Sequence, residues 1–447
     1  MMAAWQRWGQ LEQHVECGPR LSQREQRAHE REQQPRLPSC SSVHARSRVP
    51  KGTRPRNGKG TLVLARPNTV FSLGGKYRKG TSPKRLLFSG GRWMPKTYNN
   101  LAEQIYGFEN LDAAFHDMSK GMRYRHAVLD YKSNYEERII NLQNLLIWRM
   151  YQPKPYREFI IYEPKMRKIS APDIEDRLVH HALCRVVEPL FDRRFIFSNF
   201  ACRRGKGMLA ASKRVQHYIR QQPVGRDVYY LRMDFHKYFH SISHDVIKKL
   251  IRRVISDEFA LWLFDIIIDS YPTGLPIGSL TSQLLANLVG DAIDHHICDQ
   301  CGCRFYARYM DDIIIVSTDY DHLQCVFAEA RRYAEDVLHL VLNEDKSHIS
   351  IAEYWYTDSK VFDAGIDFAG YGIHRRHLDP RKRNVRAAKR RFKKLSWLVS
   401  KGLIPEEKLL ASIESFKGYM KHCRWTSEAY RALNVPRIYG GLHEDIA

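Results

Sequence analysis

The sequence predicts an α+β fold in which helices pack on a small antiparallel sheet, and three stretches carry that expectation. Residues 304–317 (RFYARYMDDIIIVS) place Phe305, Ala307 and Tyr309 at alternate positions, then Asp311 and Asp312, then a β-branched run from Ile313 to Val316. This is the pattern of strand, tight turn and strand. Residues 228–235 (VYYLRMDF) are a second strongly apolar strand, with Asp234 near its end. Leu323, Val326, Phe327, Ala330, Tyr333, Ala334, Val337 and Leu338 recur at three- and four-residue intervals, which gives a long amphipathic helix able to cover such a sheet.

The acidic residues give this fold its chemistry. An Asp-Asp pair alone is an ordinary solvated turn. Here the pair sits at a hairpin tip, and a third carboxylate ends another strand 77 positions upstream of Asp311. Two Mg²⁺ ions about 3.5–4 Å apart need several hard oxygen ligands from different elements, so that one ion activates an attacking hydroxyl and the other steadies a departing phosphate oxygen. Asp234, Asp311 and Asp312 supply such a set, with Mn²⁺ able to replace Mg²⁺.

Composition narrows the partners. The 447 residues have ample material for a core, with 43% hydrophobic residues, and the formal net charge of +23 points to a polyanion. That charge is uneven: residues 1–93 hold 19 Lys/Arg against 5 Asp/Glu and show no sustained period. This segment is expected to be disordered, either a basic arm for RNA or no part of the working protein, with Met94 as an alternative start. No apolar stretch approaches the roughly 18 residues of a membrane span and no apolar segment follows the N-terminus, so a cytoplasmic protein without a membrane partner is expected. Nine scattered cysteines fit reduced thiols. Cys298, Cys301 and Cys303, with His295 and His296, have spacings that a zinc ion can use, but no distant pair completes the set.

At Asp234 and at Tyr309-Met310-Asp311-Asp312 the sequence resembles the palm of the reverse transcriptases, with its first metal-binding aspartate and its YxDD box. The resemblance runs from about Tyr98 to the C-terminus and implies a right-hand polymerase: fingers and palm over 94–375, a helical basic thumb over 376–447, and no endonuclease, maturase or integrase-like extension after it. The lead-in is helical, with Leu101, Ile105, Phe108, Leu111 and Phe115 in period, then Ile139, Leu142, Leu145, Leu146 and Met150. A strand over 156–162 precedes the cationic run that matches the family's fingers hairpin, where Lys165 and Arg167 would hold the triphosphate of a dNTP. A helix follows over 180–187. In the run 198–207 (SNFACRRGKG), Arg203, Arg204 and Lys206 are expected on backbone phosphates.

Residues 242–254 read as a helix capped by Ser243, with Ile242 and Ile247 as a hydrophobic staple. Before it, Phe239 stands where the family places an aromatic that blocks a ribose 2′-hydroxyl; core packing is the plainer role. Small residues from Gly278 to Ser282 open a further helix, and Ile277-Gly278 with Ser282-Gln283 resembles the I/V/L-G-x-x-x-S-Q signature of diversity-generating retroelement reverse transcriptases. Ile277 and Gln283 would then flank the nucleotide pair being formed. Lys346 matches a lysine that protonates the leaving pyrophosphate, and Phe368-Ala369-Gly370-Tyr371 matches the primer-grip turn, with Gly370 on the nucleic acid. The basic run 381–394 and the last helices match the thumb.

The resemblance implies RNA-templated DNA synthesis from a DNA primer, with frequent errors opposite adenines of a template-repeat RNA, and a small basic accessory variability protein as partner. A retron or group II intron type enzyme without the mutagenic role, and an RNA-binding relic that no longer polymerises, are the alternatives.

Overall fold

The computed structural model describes residues 97–162, 166–357 and 360–434. All of the described residues belong to one compact unit. The expectations set on residues 1–93 and on Lys165 lie outside the described residues.

The lead-in is helical but broken. Helices α1 (Ala102–Tyr106) and α2 (Phe108–Ser119) meet at Gly107, where a Cβ would come within 2.7 Å of the Glu103 carbonyl. The break leaves Phe108 exposed although it falls in the apolar period, while Leu101, Ile105, Leu111 and Phe115 are buried. Helices α3 (His126–Ser133) and α4 (Tyr135–Ile147) follow; Met150, counted with the second period, lies beyond α4 and is exposed. Strands β1 (Arg157–Ile161) and β2 (Arg167–Ala171) form an antiparallel hairpin. Helix α5 (Ile174–Asp192) is longer than its sequence period indicated, because Asp173 caps it by accepting from the Glu175 amide.

Helix α6 (Met208–Gln221) leads into β3 (Val228–Asp234), followed by α7 (Tyr238–Ser241), α8 (His244–Arg252) and α9 (Glu258–Asp269). At α8 the staple residues Ile242 and Ile247 are buried, and Ser243 takes the N-cap position, but its side chain makes no capping bond. Helix α10 (Leu280–His295) runs through a π-turn into β4 (Tyr306–Tyr309), β5 (Asp312–Ser317) and α11 (Tyr320–Asp336). Strands β6 (His348–Thr357) and β7 (Lys360–Asp363) complete a five-stranded antiparallel sheet in the order β4-β5-β3-β6-β7. A three-stranded sheet, β8 (Ile366–Phe368), β9 (Tyr371–Ile373) and β10 (Leu378–Pro380), precedes the helices α12 (Lys382–Ser400), α13 (Glu406–Met420) and α14 (Ser427–Leu433). The helical C-terminal part therefore starts at Lys382, after β10, rather than at 376.

Both faces of the large sheet are buried, which is why its central strands read as unbroken apolar runs. Leu231, Met233, Ile313 and Ile315 join one core with the helices before and after them. Their neighbours Val228, Ile314 and Val316 join a second core with α6 and the small sheet. The C-terminal helices have a third core, built on Phe392, Ile413 and Phe416.

One polar cluster is buried between α10 and β4. Arg308 is fully buried, with Nε and Nη2 each 2.7 Å from the Asp294 carboxylate. Its Nη1 donates to Asn287 Oδ1 at 3.3 Å and to the Met310 carbonyl at 3.0 Å. Tyr306 donates its hydroxyl to Asp294 as well. Gly290 makes the room: a Cβ there would lie 2.2 Å from the guanidinium. Removing one partner of such a pair strands the other charge in a dry interior and costs about 3–5 kcal/mol. Asp294→Ala should therefore lose that much stability in urea unfolding, and a loss below about 1 kcal/mol would mean that solvent reaches Arg308.

Candidate active site

The register of the large sheet sets the acidic residues. Asp234, the last residue of β3, pairs with Asp312, the first of β5, so both carboxylates leave the same face at the same edge. Tyr309 also pairs with Asp312, which makes Met310-Asp311 a two-residue turn. Met310 has φ +61°, a left-handed conformation rare for a side chain of its kind, and the Arg308 guanidinium grips its carbonyl.

Two cations stand against these acids. Lys346 Nζ lies 2.5 Å from Asp234 Oδ1, and the Asn343 amide donates to the Asp234 carbonyl, so the segment from Leu342 to Ser347 wraps the end of β3. Arg232 binds both oxygens of Asp312, at 3.1 and 2.8 Å. Asp311 has no ion pair among the described residues. Burial, with the Asp234 charge next, holds its carboxyl above the usual range, against the pull of Lys346 and Arg167. Asp312 is pushed up to about 7, by burial first and by Asp311, although Arg232 draws it down.

These residues fit divalent cations. Three carboxylates share one edge, two resist ionising where they stand, and an ammonium already lies on the third. They are not gathered for an ion in this conformation, because Asp234 turns to Lys346 and Asp312 to Arg232. Among the described residues the His/Cys/Asp/Glu group whose ligand atoms all lie within 4.8 Å of one another is elsewhere, at His374, His377 and Asp379.

Other expected site residues separate into two sets. In the first, the Ser170 amide donates to the Ile277 carbonyl at 2.9 Å, docking the β1–β2 hairpin on the loop before α10. Gly278, at φ +135°, permits it, since a Cβ would meet the Ser170 carbonyl at 2.8 Å. Arg167 on β2 is exposed, and its charge reaches Asp311. Ile277 and Phe239 are half-buried, and the Phe239 carbonyl accepts from the Leu275 amide. Gln283 Oε1 accepts from the Cys202 thiol at 3.1 Å. Gly370 forms a positive-φ turn with Ala369, and its carbonyl accepts from the Tyr419 hydroxyl at 2.9 Å.

The second set differs from expectation. Arg203 is turned inward: its guanidinium binds Asp192 at 2.5 Å and the carbonyls of Ile196 and Asn199, and lies over the Phe195 ring. Lys206 folds onto the Phe197 carbonyl and the rings of Phe197 and Phe200, and burial pushes its ammonium down to about 8. Only Arg204 of that trio is exposed. The cysteine group does not converge either. Among the described residues its ligand atoms do not form a group within 4.8 Å of one another, and burial raises the Cys298, Cys301 and Cys303 thiols, Cys303 to about 12. His295 is spent on Asp299, while His296 stacks on Tyr333.

Arg232, Arg308 and His180 had escaped the sequence reading. Arg232 had a signal, two positions before Asp234 and hence on the same face. Arg308 had a different one, a charge inside the short strand that leads into the turn. His180 had none: it is buried, pushed down to about 3 and therefore neutral, and it hydrogen-bonds Ser279 at the entry to α10.

Residues 153–392, more than half of the chain, match the family model of reverse transcriptase (RNA-dependent DNA polymerase). Among curated proteins the chain is similar to Protein YkfC of Escherichia coli (strain K12), 26% identical over 254 residues, covering 46% of this chain and 66% of that protein. It is also similar to the Putative COX1/OXI3 intron 1 protein of Saccharomyces cerevisiae, 29% identical over 171 residues, covering 35% of this chain and 20% of that one. The chain thus spans less than two thirds of either relative's length.

Crowded carboxylates should make the protein more stable when a divalent ion joins them. At about a hundredfold excess over its dissociation constant a ligand adds about 2.7 kcal/mol. Mg²⁺ should raise the unfolding midpoint in scanning calorimetry, and Asp311→Asn should lose most of that rise; an equal rise in both proteins would place the ion elsewhere.

Proposed function

The chain belongs to the reverse transcriptase family, and from that premise we propose that it is an RNA-directed DNA polymerase of the diversity-generating retroelement type. The observation that carries the polymerase reading is the pairing of Asp234 with Asp312 beside the Met310-Asp311 turn. In this reading the large sheet is the palm, the β1–β2 hairpin belongs to the fingers, and α12–α14 are the thumb.

The reaction is attack of a primer 3′-oxygen on the α-phosphate of a dNTP paired with template RNA. Asp234, Asp311 and Asp312 would hold two Mg²⁺ ions, which supply charge to acidify the primer hydroxyl and to steady the departing pyrophosphate. Arg167, exposed on β2 and felt by Asp311, is placed to meet the triphosphate. Lys346 rests on Asp234 in the free protein and would be released toward the pyrophosphate when that carboxylate takes another cation. Arg232 keeps hold of Asp312 from the side and fixes its direction. Phe239 and Ile277 would bound the nascent pair. Among the described residues no helix is long and apolar enough to cross a membrane.

The mutagenic subtype rests on Ile277-Gly278 and Ser282-Gln283, and with it come the template-repeat RNA and the small basic accessory protein. A second reading, an intron-type enzyme without the mutagenic role, is favoured by the likeness to the yeast intron 1 protein.

Asp311→Asn should fold and lose nucleotide addition by more than about a hundredfold in primer extension with Mg²⁺, since loss of a metal ligand raises the barrier by several kcal/mol. Activity within about tenfold of the parent would remove Asp311 from the reaction. Ile277 has neither donor nor acceptor in its side chain. A hydrogen bond is worth about 0.5–1.5 kcal/mol, and about 1.4 kcal/mol on a barrier is tenfold in rate. Ile277→Gln should therefore make copying more accurate by up to about an order of magnitude. Sequencing the cDNA from one template decides it: unchanged misincorporation opposite adenine would sink the role of Ile277, and a parent enzyme that copies adenines faithfully would favour the intron-type reading.

A further inference from the structure

The turn between β9 and β10 gathers a second set of ligand atoms, away from the polymerase acids. His374 and His377 close the hairpin around Arg375-Arg376, the His374 amide donating to the His377 carbonyl at 3.0 Å. Residues paired across a hairpin share a face, and Asp379, two positions after His377, shares it too. One ring nitrogen each of His374 and His377 and a carboxylate oxygen of Asp379 all lie within 4.8 Å of one another. We propose that His374, His377 and Asp379 form a structural zinc site.

Four features of the site support a metal over a chance cluster. His377 Nε2 and Asp379 Oδ1 are both buried and neither has a hydrogen-bond partner. They face each other at 3.4 Å, and His374 Nε2 stands 3.6 Å from Asp379 Oδ2. Ligand atoms bound at roughly 2.0–2.1 Å in a tetrahedron are separated by about 3.4 Å, which the gap from His377 Nε2 to Asp379 Oδ1 matches. The His374 ring lies stacked on that of His377, with centroids 4.6 Å apart, and would have to tilt to turn Nε2 to the same ion. Next, Asp363 takes His374 Nδ1 at 2.8 Å, which leaves Nε2 of that ring for a ligand and supplies the carboxylate–imidazole support that metal-bound histidines usually have. Glycine also clears the place: a Cβ on Gly365 would come within 2.5 Å of the His374 ring, and its φ of +70° suits glycine. Finally, a cavity of about 340 Å³ opens beside His377, with Cys423 in its lining, and leaves room for a fourth ligand or a water.

Two imidazoles and one carboxylate are a zinc set rather than a magnesium one, because Mg²⁺ prefers oxygen in an octahedron. Arg424 is the competing cation, with Nη2 3.1 Å from Asp379 Oδ2, and it leaves Oδ1 open. The Arg424 amide donates to the Leu378 carbonyl at 2.7 Å, and Gln216 of α6 donates to the His374 carbonyl at 2.8 Å. An ion at the turn would therefore stiffen the place where α6, the small sheet and the segment after α13 meet.

The test uses the full chain, stripped with chelator and kept in millimolar Mg²⁺ so that the polymerase acids are occupied. Zn²⁺ alone is the probe. The expected result is uptake of about one equivalent, a raised unfolding midpoint, and loss of both in His377→Gln and in Asp379→Asn, while Asp311→Asn and Cys298→Ser keep them. X-ray absorption of the zinc-loaded parent should show imidazole scattering and at most one sulfur, which locates the ion even if a variant fails to fold. No uptake by the folded parent, uptake unchanged in both variants, or a spectrum dominated by sulfur or lacking imidazole would each overturn the proposal. None of these readouts depends on polymerase activity.

Discussion

The edge of the sheet that carries Asp234, Asp311 and Asp312 depends on one buried ion pair. Arg308 and Asp294 lie where no water can screen them, so the pair survives only if the guanidinium's donors are met, and they are: by Asp294, by Asn287 and by the Met310 carbonyl. A lysine would offer a point charge without the fork that reaches both α10 and the turn. The bond to Met310 links the cluster to the acidic turn. It holds a left-handed residue in place, and the next residue is Asp311, whose carboxylate position is therefore set from inside the protein rather than by solvent.

The same cluster ties distant segments to the sheet. Arg308 also gives its backbone amide to Ser198 and its carbonyl to Phe200, so the loop between α5 and α6 runs along the edge of β4. Asn287, one helical turn before Asp291 on α10, donates to the Ala201 carbonyl. Helix α10 begins at the loop that receives the β1–β2 hairpin through Ile277. A change in the buried pair would thus be felt at the turn, at the 198–207 loop and at the hairpin contact, because all three rest on α10 and β4.

Much of this was legible in the sequence, where local periods match the environment that the fold provides. The strands at 228–234 and 312–317, the turn at Asp311 and the helix at 244–252 could be read because their apolar spacing is what a sheet buried on both faces and its covering helices require. The long cations could not be read in the same way. Arg203 and Lys206 look like surface charges, but Asp192, Phe195, Phe197 and Phe200 give them partners inside, and nothing in the spacing says which way a flexible side chain folds. His374 and His377 were passed over for another reason. Their H-x-x-H-x-D spacing is plain in the sequence, but what sets it apart from chance is Asp363 and Gly365, a strand away.

Charge compensation at the acids leads one step further. In the free protein Lys346 answers Asp234 and Arg232 answers Asp312, and Asp311 is left with more distant charges alone. The two cations are not equivalent. Arg232 is largely buried, holds two oxygens and also donates to the Asp367 carbonyl, so releasing Asp312 would leave its guanidinium short of partners. Lys346 makes one contact at a half-exposed position and can return to water at small cost. An ion arriving at this edge would thus displace Lys346 more readily than Arg232, so Asp234 and Asp311 would be free to meet it first, while Asp312 would join with Arg232 still holding its direction. The asymmetry gives adjacent aspartates different duties, although the sequence presents them as a pair.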